Sequence, residues 1–413
     1  MASLSFSPKD LLDIKEKFEK EPKQFSDLNT IFFNGKCKFF ERIEKDHPLE
    51  GEEFMKNYKS LQNLALSLEN TLKVEDLPML ETDSKNKKIE LTRKQVALLF
   101  LLSFFNCIPS EYTNRFKVYY ILSSSYTGFQ FGRCYLNYLI TMEKWLQEDN
   151  KILEEKIIYI RNNIENSDEY LKEIDLCEVK FNDKISMFDG EAPYHVDFAN
   201  KRIGGGALTG GLVQEEILFA KEPEATVSML FMEVMSDNDA IGIFNTIEYS
   251  KSSGYANSFK FEESSITDDL STIKRHRIIA IDASVNQSFY YFFNKNNDDI
   301  IRDIHKAYVG FNLINLEENN NVEKIIATGN WGCGAFGGNH ELKFIQQWIA
   351  ASFVGVKRLD YYTFEEKEMK NAIQYYEEIK NKYKNALKLY EVLALNKISG
   401  NNIIINLIKN KIE

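Results

Sequence analysis

Cysteine, histidine and tryptophan are sparse in this sequence, and the long apolar runs of membrane proteins are missing. The 5 cysteines, Cys37, Cys107, Cys134, Cys177 and Cys333, are scattered, odd in number and never in Cys-x-x-Cys spacing. That argues against both a disulfide framework and a zinc site, and reads as reduced, mostly buried thiols. The apolar run VALLFLLSFF falls well short of the roughly 20 residues a helix needs to span a bilayer. The opening MASLSFSPKDLLDIKEKF lacks the basic-then-apolar plan of a signal peptide. An intracellular protein, nuclear or cytoplasmic, is expected. No basic targeting run precedes residue 90, so a compact form without a long regulatory tail is expected.

Several chemistries lose their key parts. Gly-x-x-x-x-Gly-Lys-Ser/Thr, His-Glu-x-x-His and Gly-x-Ser-x-Gly are all absent, which removes the P-loop, zincin and α/β-hydrolase readings. There is no internal repeat and no Lys/Arg stripe with interleaved aromatics. The formal net charge of −11, from 51 basic and 62 acidic residues, repels polyanions at long range. An anionic ligand must therefore be captured locally, and neither DNA nor a membrane is an expected partner.

The 413 residues suffice for two domains, and a hydrophobic content of 44% is ordinary for a globular chain. The first 170 or so residues read as helical and glycine-poor, as in LTRKQVALLFLLSFFNCIP and YLNYLITMEKWLQ. A charged, strand-poor segment, EEKIIYIRNNIENSDEYLKEIDLCE, follows. Beyond it come short β-branched or alternating runs, YHVDFAN, ATVSMLFMEVM, IGIFNTIEYS, RHRIIAIDAS and KIIATGNW, with helices VQEEILFA and HELKFIQQWIAASF between them. This alternation predicts an α/β layered fold. We therefore expect a helical domain over 1–172 and an α/β domain over 173–413. The latter should end in one long helix after Phe364, striped by Met369, Ala372, Tyr376, Ile379, Tyr383, Leu387, Tyr390 and Leu393 and stopped by Gly400.

Ten of the 20 glycines fall in two windows, Gly204 to Gly211 and Gly329 to Gly338. Each follows a strand and precedes a helix, where glycine lets backbone N–H groups approach a ligand and the helix N-terminus adds positive potential. Such loops suit a phosphate or diphosphate, and they solve the charge problem with backbone rather than lysine. The second window also holds a formal Gly-x-Gly-x-x-Gly (Gly332, Gly334, Gly337) with Asp360 at dinucleotide-fingerprint distance.

The first window runs directly into Glu215 and Glu216. Adjacent helical residues point about 100° apart, so one carboxylate can act while the other positions. Both could also simply decorate the first helical turn. Beside two phosphate-type loops, a neighbouring carboxylate and a bound diphosphate would raise a glutamate's pKa, which suits a general acid on a glycosidic bond.

The same residues resemble poly(ADP-ribose) glycohydrolases of the large eukaryotic type. The hallmark is a triple glycine, Gly204, Gly205 and Gly206, followed by Gln214, Glu215 and Glu216. VDFANKRIGGG, SSGYANSF, IAIDAS, KAYVGF, TGNWGCGAFGG and LTRKQVALLFLLSFFNCIP extend the likeness from about residue 90 to about 365. The resemblance implies a macrodomain-like mixed sheet between helices, preceded by a helical accessory domain. It also implies metal- and cofactor-free hydrolysis of ribose–ribose bonds, mainly from the chain end, in ADP-ribosylation reversal. Glu216 would protonate the leaving ribose oxygen and then activate water. Glu215 would hold the ribose hydroxyls of the scissile linkage, while Asp197 and Asn200 order the loop and contact the distal ribose. Gln214 and Tyr255 would lie on the adenine side, with Tyr255 covering the base and Ile185 or Ser186 lining that pocket. Gly204, Gly205 and Gly206, with Asn330, Gly332, Gly334, Ala335 and Gly337, would wrap the diphosphate and distal ribose. Phe336 and Phe364 would pack near the distal ribose and the adenine. The implied partners are poly(ADP-ribose) and ADP-ribosylated proteins, bound by a monomer.

Three other functions fit parts of the sequence. A macrodomain reader binds ADP-ribose without cutting it, yet has no need of the Gln-Glu-Glu triplet. A nicotinamide-dependent oxidoreductase rests on the Gly-x-Gly-x-x-Gly alone. A hydrolase of single ADP-ribose units on proteins differs in features the sequence does not display. His195, His276 and His340 read as structural, and Cys333 as a small loop residue.

Overall fold

The computed structural model describes residues 5–73, 77–109, 116–122, 126–166, 168–183, 186–285, 298–318, 321–394 and 402–410. Ile185 and Gly400 lie outside the described residues. The first half supplies helices α1 (Pro8–Phe18), α2 (Asp27–Phe33), α3 (Phe39–Asp46), α4 (Pro48–Leu66), α5 (Leu68–Thr71), α6 (Arg93–Phe104), α7 (Tyr119–Leu122) and α8 (Tyr126–Gln147). Strand β1 (Lys87–Thr92) leads straight into α6, whose start is fixed by a reciprocal cap. Thr92 accepts the Gln95 N–H at 3.2 Å, and Gln95 accepts the Thr92 N–H at 2.8 Å. Because α6 is buried on all sides, its apolar run shows no stripe.

Eight strands make one sheet in the order β1, β2 (Lys156–Asn163), β5 (Asp239–Thr246), β8 (His276–Asp282), β4 (Tyr194–Ala199), β9 (Ile325–Gly329), β10 (Arg358–Tyr362), β3 (Glu178–Asn182). From β8 to β3 neighbouring strands run parallel, whereas the β1–β2, β2–β5 and β5–β8 pairs are antiparallel. A hairpin of β6 (Ser250–Ser253) and β7 (Lys260–Ser264) stands apart.

Alternate residues of the strands feed two cores. Ile278, Ala280 and Ala199 join the core built with α1 to α8, whereas Ile279, Ile281 and Val196 join the opposite one. The first layer also holds α9 (Gln214–Lys221) and α10 (Pro223–Thr226). The second is covered by α11 (Asp298–Phe311), α12 (His340–Val354), α13 (Lys370–Tyr383), α14 (Ala386–Ala394) and α15 (Ile403–Lys409). The result is the expected mixed sheet between helices.

Four sequence expectations change. The boundary at 172/173 is not a break: β1 and β2 extend the sheet of the second half, with Ile160 opposite Gly242, and one core holds residues from both segments. The segment taken as strand-poor contains β2, buried along most of its length. ATVSMLFMEVM is not a strand; Pro223 opens α10, and a 3-10 turn over Val227–Leu230 follows. Every residue from Pro223 to Met232 is buried, so the run carries no periodicity to read. The C-terminal helix is broken at Lys384, whose φ of 63° is left-handed. That break re-phases the stripe, burying Leu389 and Val392 while Leu387 and Tyr390 are only half-buried.

Candidate active site

The parallel strands β4, β8, β9 and β10 deliver their C-terminal ends to one edge, where open α/β sheets bind ligands. The loop from β4 to α9 and the loop from β9 to α12 are the two glycine windows, each between a strand and a helix as expected.

In the first, the glycines pack around the protein's own carboxylates. Glu215, only 2% exposed, accepts the Asn200 N–H at 2.9 Å and the Gly204 N–H at 2.6 Å. Glu216, 5% exposed, accepts the Gly206 N–H at 2.9 Å and reaches back to the Val213 N–H at 2.9 Å. This is one half of a capping box, since Val213 has no side-chain acceptor to supply the other. A β-carbon on Gly205 would stand 2.5 Å from Glu215 Oε2 and 2.7 Å from Glu216 Oε1. One on Gly211 would stand 2.6 Å from Glu216. Glycine is thus required here by contact with the glutamates.

Asp197 lies beneath, fully buried on β4, with neither carboxyl oxygen hydrogen-bonded. Burial first, then the charges of Glu216 and Glu222, push its pKa well above the usual carboxylate range. Burial and the Asp197 charge likewise raise Glu215 strongly, although the Asn200 and Gly204 N–H groups work the other way. Asp197 and Glu215 therefore retain protons at pH values where isolated carboxyls lose them. The Asn200 side chain accepts the Arg202 N–H at 3.0 Å and so shapes the turn. The Gln214 amide is engaged by the strand, accepting the Phe198 N–H at 2.8 Å and donating to the Val196 carbonyl at 3.3 Å.

At the mouth, Tyr255 is 55% exposed, its phenol against the Gln214 main chain and within the field of the Glu216 carboxylate. Phe364 is 48% exposed at a left-handed φ of 53°, its ring over the end of β9 near Gly329. Ser186 caps a short turn by accepting the Phe188 N–H at 3.3 Å.

The second loop is opener. Gly334, Ala335 and Gly337 are exposed, nothing lies within 4 Å of a β-carbon built on Gly334 or Gly337, and Phe336 is half-buried against the second core. Asn330 donates to the Thr363 carbonyl at 3.0 Å. Beneath Gly332, Lys343 is buried over the Trp331 ring and paired with Asp303. Sequence reasoning missed that pair, since its members stand 40 residues apart. Burial pushes the Cys333 thiol up to about 12, so it is no reactive thiolate. Asp360 is buried in β10 and held by Arg358, one bond measuring 2.9 Å, so it is spent within the strand and the dinucleotide fingerprint lapses. Among the described residues no group of His, Cys, Asp and Glu is arranged to hold a metal ion.

The family model described as "Poly (ADP-ribose) glycohydrolase (PARG), Macro domain fold" matches residues 162–371. Poly(ADP-ribose) glycohydrolase 1 of Arabidopsis thaliana is 32% identical over 245 residues, which is 43% of this chain and 44% of that protein. Poly(ADP-ribose) glycohydrolase 2 of Caenorhabditis elegans is 35% identical over 208 residues, covering 47% and 42%. A probable poly(ADP-ribose) glycohydrolase 2 of Arabidopsis thaliana is 28% identical over 342 residues, covering 70% and 65%. The chain thus spans less than two thirds of the length of each. The matched segment holds both glycine loops, Asp197 and the Gln-Glu-Glu triplet and takes up just over half of the sequence, so this chain belongs to the poly(ADP-ribose) glycohydrolase family, with its macrodomain fold.

Proposed function

We propose that this protein hydrolyses the ribose–ribose O-glycosidic bonds of poly(ADP-ribose), mainly from the chain end, and releases ADP-ribose. The observation that carries the reading is the set of carboxylates fixed by glycine-loop N–H groups at the ligand-binding edge of the sheet. Glu216 gives a proton to the leaving ribose oxygen as positive charge develops on the anomeric carbon. It then takes one from the water that adds there, so the carboxyl ends as it began. Glu215 holds the ribose hydroxyls. Asp197 supplies the buried group that keeps a proton within the cluster.

Around this centre Asn200, Gly204, Gly205 and Gly206 shape one side of the substrate cleft. Asn330, Gly332, Gly334, Ala335, Phe336 and Gly337 shape the other, with the exposed backbone at Gly334 and Ala335 facing the diphosphate. Tyr255 and Phe364 flank the adenine, and Gln214 anchors the strand beneath it. We assign residues 1–172 as an accessory region whose β1 and β2 complete the catalytic sheet. The protein would act as a monomer on ADP-ribosylated partners within the cell.

The test is incubation with poly(ADP-ribose) of defined length, with products resolved by chromatography. Release of ADP-ribose with stepwise shortening supports the reading. Tight binding without cleavage would make the protein a reader, and activity only on singly modified protein would reassign its substrate.

A further inference from the structure

The sheet face beneath α9 carries a polar pair that this reaction does not use. Glu222 caps the far end of α9 from Glu216. Its Oε1 lies 2.6 Å from His276 Nδ1 on β8, and its Oε2 accepts the Thr246 hydroxyl at 2.6 Å. Both residues are buried, Glu222 at 1% and His276 at 4% exposure. Burial opposes a charged imidazole, but the charge and hydrogen bond of Glu222 prevail and raise His276 above its ordinary value. The pair thus favours a protonated His276.

It is also contiguous with the catalytic cluster. His276 meets His195 edge-on, ring centroids 4.9 Å apart. His195 and Asp197 alternate on β4 and so share that sheet face. The row Glu222, His276, His195, Asp197 runs beneath α9 towards Glu215 and Glu216. Other charged groups face it from each packed element: Lys221 of α9 is paired with Glu248 at 2.8 Å, and Lys274 donates to the Gly190 carbonyl at 3.1 Å. His195, which burial and then the charges of His276 and Lys274 hold well below its usual value, stays neutral between them.

We propose that the Glu222–His276 pair is a positioning element of the active site. It places a carboxylate behind Asp197 with its own histidine partner, and so sets the pH range over which Asp197 keeps its proton. The inference rests on the hydrolase reading above. A buried acidic residue beside Asp197 is tolerated because His276 is hydrogen-bonded to it.

The experiment is the pH profile of kcat/KM for polymer hydrolysis, which reports groups of the free enzyme, in wild type, Glu222→Gln and Glu222→Asp. Removing the charge while keeping the side chain's size lowers the alkaline limb by about half a pH unit or more. Glu222→Asp, which keeps the charge, leaves the limb in place. Where Glu222→Gln does not fold, His276→Gln, which leaves Glu222 without its cation, moves the limb upward instead. A limb that stays put in a folded Glu222→Gln or His276→Gln variant, with only rate or melting temperature reduced, overturns the proposal. If the wild type does not cleave polymer at all, the functional reading fails separately. The pair is then judged by the infrared band of the protonated Asp197 carboxyl, identified by its loss in Asp197→Asn. That band must disappear at lower pH in Glu222→Gln.

Discussion

At the scale of single residues, the two glycine loops answer different demands. Gly205 is pressed against Glu215 and Glu216 at a left-handed φ of 45°, so Gly205→Ala should cost about 1–3 kcal/mol in denaturant melts. The same change should lower polymer hydrolysis at least tenfold by displacing both carboxylates. Gly334 has nothing within 4 Å of a β-carbon, so Gly334→Ala should keep stability within about 0.5 kcal/mol while weakening ADP-ribose binding, as calorimetry would show. Asp197 gives a pH prediction. Its folded pKa is raised, so the native state holds a proton that the unfolded chain releases. The stability contribution is complete below the ordinary carboxyl range and is lost as pH rises towards the folded value. Asp197→Asn should therefore raise the melting temperature at pH 8, leave it nearly unchanged at pH 4, and abolish efficient turnover.

At the scale of elements, the accessory helices share a core with α9 and α10, and a buried ion pair crosses it. Arg93, the first residue of α6, is ion-paired with Glu224 of α10, which also accepts the Tyr249 hydroxyl at 2.6 Å. Arg93→Met leaves Glu224 buried without its cation and should cost about 3–5 kcal/mol; Glu224→Leu in the same chain should recover much of that loss in urea unfolding. Because α10 follows α9 directly, activity should fall with the single change. How much was legible in the sequence follows the range of the interactions. The glycine loops, the Glu215–Glu216 step and the inward carboxylate of Asp197 are local patterns, and each follows or sits on a strand of the one sheet. Strand β2 was obscured because its apolar residues are embedded in a charged run and gain their partners from β1 and β5. The Glu222–His276 and Arg93–Glu224 pairs join residues 54 and 131 positions apart, a separation no spacing rule spans. The role of Gly205 was read as room for a ligand, whereas the nearest atoms belong to Glu215 and Glu216.

At the scale of the whole molecule, the proposed function has a chain of net charge −11 acting on a polyanion. Capture through backbone N–H groups releases few counterions, and the overall field is repulsive, so added salt should leave ADP-ribose affinity flat or tighten it. A lysine- or arginine-based site would weaken steeply over the same titration. The sheet, drawn from both halves of the chain, carries the two loops and the buried carboxyls, and the proposed reaction turns on one of them, Glu216. Its most direct test is single-turnover hydrolysis of poly(ADP-ribose) by wild type and Glu216→Gln, with ADP-ribose binding measured on both. The expected result is a rate loss on the order of 10²-fold or more with binding preserved within a few-fold. A Glu216→Gln protein that binds and still cleaves at the wild-type rate would contradict it.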